Sequence, residues 1–186
     1  MNFFPGSDRI IEDGIELFGL ADALFVSKEA QGHLSTRSYL AKGFEENGRR
    51  LIIEKLLSIA IKLRFLDDKS NLLEAHDRSN AGIVTGKSGE KEVGLREALN
   101  KIIHHESIQI FAKPSKITVT DQNTQFPAEE IQIAEGTYPG FSIFVCAEGK
   151  EKNKNWVFQT ELTHLINEIL RVFYFENLKN GGANNA

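Results

Sequence analysis

Leu95–Thr120, LREALNKIIHHESIQIFAKPSKITVT, is where the chain changes texture. In the first half apolar residues recur at helical steps, and at 100° per residue Leu95, Leu99 and Ile102 fall within about 60° of one another. In the second half Ile108-Gln109-Ile110-Phe111 and Lys116-Ile117-Thr118-Val119-Thr120 are alternating runs of β-branched and aromatic residues, as strands require. Upstream of this junction the periodicity is helical, and downstream it is β until one last helix. Helices, then strands, then a helix predict a segregated α+β fold rather than a parallel βαβ sheet.

On the upstream side a first helix is expected over Ser7–Val26, where Ile11, Ile15, Phe18 and Phe25 recur beside Leu17, Leu20 and Leu24. Ser7 or Asp8 can cap it, and Gln31-Gly32-His33 reads as a turn. A second helical region runs from Ser35 to about Leu66, with Gly43 and Gly48 as places to bend or split. Its apolar residues become nearly continuous from Leu51 to Ile61, which marks it as the centre of the core. From Asp67 to Gly94 the chain turns polar and glycine-rich and reads as a long loop with at most one short helix near Leu72.

Downstream, Glu130–Ile133 and Phe141–Cys146 are further expected strands. The polar stretch Gly149–Asn155 then turns into Trp156-Val157-Phe158 as a hairpin. The last helix, from about Thr160 to Phe175, carries Leu162, Leu165, Ile166, Ile169, Leu170 and Phe173 on one stripe. One α+β domain over residues 1–186 is therefore expected. It comprises a helical region over residues 1–66, a polar loop 67–94, a motif helix 95–106, an antiparallel β meander 107–158, a C-terminal helix 159–176 and a flexible tail 177–186.

Composition narrows the function classes. The net charge is −4, from 22 Lys+Arg against 26 Asp+Glu, so the chain is not a generally basic nucleic-acid binder. Residues 1–34 hold two basic and six acidic residues, and residues 35–69 hold eight basic and five acidic ones, so any basic surface is local to the second helix. The single Cys146 excludes an internal disulfide, and the start of the chain lacks a signal-peptide pattern, which together predict a reducing cytoplasm. No apolar run approaches the length of a membrane helix, since Leu56–Ile61 is flanked at once by Lys55 and Lys62, so no membrane span is expected.

The chemistry-bearing candidate lies in the opening segment. Arg96, Asn100 and His104 follow one another at four-residue steps on a stripe separate from the packing face. A guanidinium, an amide and an imidazole in one row can bind a phosphodiester, with His104 moving protons near neutral pH. The competing reading makes them ordinary polar positions, supported by an intrahelical Glu97–Lys101 pair. Asn100–His104, NKIIH, resembles the Asn-x-x-x-His half of the HEPN-domain signature. The family's arginine directly before the asparagine is Leu99 here, and the nearest upstream arginine is Arg96, one turn back on the same stripe.

That resemblance implies a four-helix HEPN-like bundle with the β meander between the third and last helices. It also implies RNA binding or metal-independent ribonuclease activity of a toxin or defence system, catalytic roles for Arg96, Asn100 and His104, and a homodimer. A non-enzymatic protein-interaction domain with a structural motif helix is the alternative. No cofactor and no metal are expected, because adjacent His104 and His105 diverge by about 100° on a helix. Ala81–Ser88, AGIVTGKS, matches a relaxed phosphate-loop pattern, but neither flank supplies the strand and helix that such a loop needs. Phe141, Phe144, Trp156 and Phe158 are expected to form one hydrophobic face against the last helix.

Overall fold

In Lys154–Glu161 the residues Trp156, Phe158 and Thr160 are buried while Val157, Gln159 and Glu161 between them are only half-buried. Alternation of this kind belongs to a strand covered on one face, and it runs through the sheet. The computed structural model describes residues 7–33, 39–74, 80–119 and 136–182. In chain order they form α1 (Ser7–His33), α2 (Tyr39–Ser70), β1 (Gly82–Gly86), β2 (Gly89–Val93), α3 (Leu95–Ile103), β3 (Ser107–Val119), β4 (Gly136–Glu151), β5 (Lys154–Glu161) and α4 (Leu162–Gly182). The fold is α+β, with four helices and a five-stranded antiparallel sheet in the order β2-β1-β5-β4-β3.

The sheet is larger than the expected meander. Residues 67–94 contain a hairpin rather than a loop: β1 and β2 pair from Gly82↔Val93 to Gly86↔Gly89, and β1 also pairs with β5. These strands are short, and β2 is exposed except at Val93, so they form through backbone pairing with β5 and with each other instead of through apolar content. The same hairpin removes the phosphate-loop reading, since Lys87 and Ser88 form a β-turn with no helix after them. The two expected strands after the motif helix are one continuous β3. Pro114 is tolerated there because β3 lies at the edge of the sheet. The expected strand Glu130–Ile133 lies outside the described residues.

Helix boundaries also differ. α1 continues through the expected turn at Gln31-Gly32-His33, and α2 passes Gly43 and Gly48 unbroken. α2 ends where Asn71 adopts a left-handed φ of 51°, with its N–H bonded to the Asp67 carbonyl at 2.7 Å. The motif helix is shorter than expected and stops at Ile103, with His104 as its C-cap. α4 extends to Gly182, so residues 177–182 of the expected tail are helical.

Each helix touches β3 or β4, α1 touches α2 and α4, and α2 touches α3. On the covered face of the sheet lie Ile143, Val145 and Ala147 of β4 with Trp156 and Phe158 of β5, facing Leu56, Ile59 and Leu63 of α2, Leu99 and Ile102 of α3, and Leu165 and Ile169 of α4 in one cluster. Two glycines permit this packing: a side chain at Gly149 would run into the Trp156 indole, and one at Gly82 would meet the Phe158 ring. In α1 the buried stripe is Ile10, Leu17 and Ala21, while Ile15 is 61% and Phe18 49% exposed. The expected stripe through Ile15 and Phe18 therefore lies on the flank, because α1 is apolar on too many sides for periodicity to select one. Outside the core, Lys55 bonds Asp13 at 2.9 Å, and further ion pairs join Lys62 to Asp13 and Lys55 to Glu16, tying α1 to α2. Among the described residues no helix is long and apolar enough to cross a membrane.

Candidate functional site

α3 packs through Leu95, Ala98, Leu99 and Ile102, all fully buried, and this sets where its polar residues go. Arg96 is drawn to the end of α2. Its Nε forms an ion pair with Asp67 Oδ2 at 3.0 Å, and the same carboxylate also pairs with Arg64 and accepts the Leu73 N–H on Oδ1 at 2.8 Å. Asp67 is 1% exposed, whereas the Arg96 side chain is 42% exposed. A buried carboxylate without such donors would be strongly unfavourable, so Arg96 helps make this α2 terminus possible.

Asn100 is half-buried and His104 is exposed. Successive members of the Arg96, Asn100, His104 stripe are a turn apart, so the first and last backbones are separated by about 12 Å along the axis. With Arg96 held at the Asp67 end, the stripe is spread out rather than convergent. His105 Nδ1 lies 2.6 Å from the Ile102 carbonyl and, as the Nδ1–H tautomer, donates to one of the acceptors that a helix end leaves unpaired. The Glu97–Lys101 pair is replaced by two reaches into the sheet: Lys91 to Glu97 at 3.0 Å and Lys101 to Glu151 at 3.0 Å. Lys101 also lies 4.6 Å from the Trp156 ring centroid, and its hydrogen bond holds the exposed Glu151 carboxyl below the usual range. Of the other arginines on helices, Arg50 pairs with Glu54 and Arg171 with Glu168 on their own helices.

The second region was not singled out by motif. Cross-strand register places Glu90 and Glu92 of β2, Ile83 and Thr85 of β1, Val157, Gln159 and Glu161 of β5, Phe144, Cys146 and Glu148 of β4, and Gln109, Phe111 and Lys113 of β3 on the face away from the buried core residues. Among the described residues no helix covers this open face. It carries a cleft of about 450 Å³ lined by the apolar Ile83, Val157 and Phe144 and the polar Glu90, Gln159, Glu161, Lys113 and His164. His164 Nε2 bonds the Asn80 carbonyl at 2.5 Å, joining the first turn of α4 to the segment just before β1, and both residues line the cleft.

The expected single aromatic face is split. Trp156 and Phe158 point into the core, whereas Phe144 stacks on Phe111 of the open face, with ring centroids 5.8 Å apart and planes 15° from parallel. Lys113 places its ammonium 4.8 Å from the Phe144 centroid and 5.2 Å from that of Phe111. The Cys146 thiol is half-buried on the same face, and burial followed by the nearby Glu148 charge raises its pKa. Period-two alternation in β4 and β5 is the sequence signal for these residues, although it does not say which of the two sets is covered. Among the described residues no group of three or more His, Cys, Asp and Glu side chains is placed to hold a metal ion. Comparison with protein-family models, curated proteins and solved structures gave no match, so the site is read from its geometry alone.

Proposed function

We propose that this chain is a protein-binding domain whose working surface is the open face of the sheet, with α3 acting as a structural strut. The observation that carries this reading is the salt bridge from Arg96 to buried Asp67, which commits the stripe's cation to the fold. A guanidinium bound in that way is poorly placed to clamp a phosphate. The open face, by contrast, combines partly accessible apolar side chains with polar groups, as interaction surfaces do. The single half-buried thiol suits a reducing cytoplasm.

A second reading rests on His104, which is exposed at the end of α3 beside half-buried Asn100. In it the four helices are a HEPN-like bundle, and Arg96, Asn100 and His104 bind RNA, or cleave it without metal, across a homodimer in a toxin or defence setting. One experiment separates the two. Crosslinked partners and metal-free RNA cleavage are compared for the unaltered protein, Ile83→Asp and His104→Ala. The first reading expects partners lost only in Ile83→Asp and no cleavage by any of the three. Cleavage by the unaltered protein that His104→Ala abolishes would establish the second instead.

A further inference from the structure

We infer that the cleft on the open face receives lysine or arginine side chains from an extended segment of a partner protein, an assignment that rests on reading that face as the working surface. Charge comes first. The strand residues of this face include four glutamates, Glu90, Glu92, Glu148 and Glu161, against two lysines, Lys113 and Lys150. Lys150 already pairs with Glu106 at 3.6 Å, while none of the four glutamates has a cation partner among the described residues. The face is therefore an uncompensated source of negative potential. It disfavours a phosphate backbone and favours a cation.

Geometry specifies where the cation goes. Glu161 is the register partner of Phe144, and Phe144 is the register partner of Phe111, so carboxylate, ring and ring form a row across three strands. The chain already seats one amine on this row, its own Lys113. A second cation entering from the β5 side finds the Glu161 carboxylate beside the Phe144 ring, and Glu90 lines the cleft farther along, on β2. Between them Ile83, which is 41% exposed, and Val157 give an apolar floor on which the alkyl stem of a lysine or arginine can lie.

The cleft runs from Glu90 on one edge strand to Lys113 on the other, four strand spacings or roughly 19 Å, too long for one side chain. An extended segment presents every second side chain on one side at intervals of roughly 7 Å, and so can address both carboxylate positions at once. Lys113 marks the end of the site, since it competes with an incoming cation for the same rings.

The test is fluorescence anisotropy with a labelled heptapeptide of alternating lysine and valine, its glutamate counterpart, and an unstructured single-stranded RNA. The lysine peptide is expected to bind. Glu90→Lys combined with Glu161→Lys should weaken it by about tenfold or more at unchanged Tm. Lys113→Gln should tighten binding, and Glu12→Lys combined with Glu46→Lys, the same charge change on the helical layer, should leave it near the unaltered value. Equal loss in that control pair, preference for RNA, or no binding of the lysine peptide overturns the assignment. If the glutamate peptide binds instead and Ile83→Asp abolishes it, the open face stands as the working surface and only its charge preference fails. If no probe responds to Ile83→Asp, both fail.

Discussion

The two faces of the sheet are made by the same strands and differ in nearly everything else. On β5, Trp156, Phe158 and Thr160 enter the core while Val157, Gln159 and Glu161 stay half-accessible, and on β4 Val145 and Ala147 alternate with Phe144, Cys146 and Glu148 in the same way. Side chains on the covered face are held by four helices and by two glycines that leave room for rings, so their identity is dictated by packing. On the open face the same strands are paired, but among the described residues no helix packs over the side chains. A set of residues outside the helix-packed core that combines stacked rings, an apolar floor and carboxylates with no cation partner among the described residues is where function is sought.

The sharpest way to break this comparison is a pair of truncations on neighbouring residues. Phe158→Ala, at 0% exposure, should cost about 3–5 kcal/mol, whereas Val157→Ala should cost under about 1 kcal/mol by denaturant titration. Comparable losses would mean that the open face is covered in solution. Next in size is Asp67→Ala. It removes the carboxylate that pairs with Arg64 and Arg96 and accepts the Leu73 N–H, and should cost about 2–3 kcal/mol, below the usual range for a fully buried pair because Arg96 reaches solvent. A near-neutral Asp67→Ala would free Arg96 and return weight to the stripe on α3.

A smaller effect contrasts paired with unpaired carboxylates through pH. Desolvation pushes the Asp13 carboxyl up, but hydrogen bonds and charge from Lys62 and Lys55 outweigh it, so its pKa lies below the usual value; the same contacts with Glu16 and Asp13 raise Lys55. A lowered carboxyl pKa gives stability that is present above the unfolded value, near pH 4, and is lost as pH falls through the folded one. The Tm advantage of the unaltered protein over Asp13→Asn should therefore be present at pH 7 and shrink as the pH falls below the unfolded value. An advantage that persists there would mean packing, not charge, joins α1 to α2. The smallest expected effect is in the turn that sets the β4–β5 register for both faces. Lys152 and Asn153 have φ of 49° and 63° between the paired Glu151 and Lys154, the form that two-residue hairpins use. Lys152→Gly should raise stability by up to about 1 kcal/mol, since glycine adopts that conformation without strain.

What local sequence determined is the class of each strongly patterned segment. The helical steps of Leu95, Leu99 and Ile102, the continuous apolar run in α2, the β-branched alternation after Ser107 and the stripe of α4 depend only on the 3.6 and 2 residue periods, and each is found as the expected element. Tertiary structure alone decided the rest. β1 and β2 have too few apolar residues to announce themselves and exist because β5 offers β1 a backbone edge, and β1 in turn offers one to β2. α1 is apolar on several sides, and only the positions of α2 and α4 chose Ile10 and Leu17 over Ile15 and Phe18. Arg96 could be given a stripe from sequence but not a partner, because Asp67 reaches it only through the reversal at Asn71. Alternation likewise divides Phe144 from Val145 without saying which is covered. A period-two pattern fixes relative orientation, and only the layer that packs against it tells the inside from the outside.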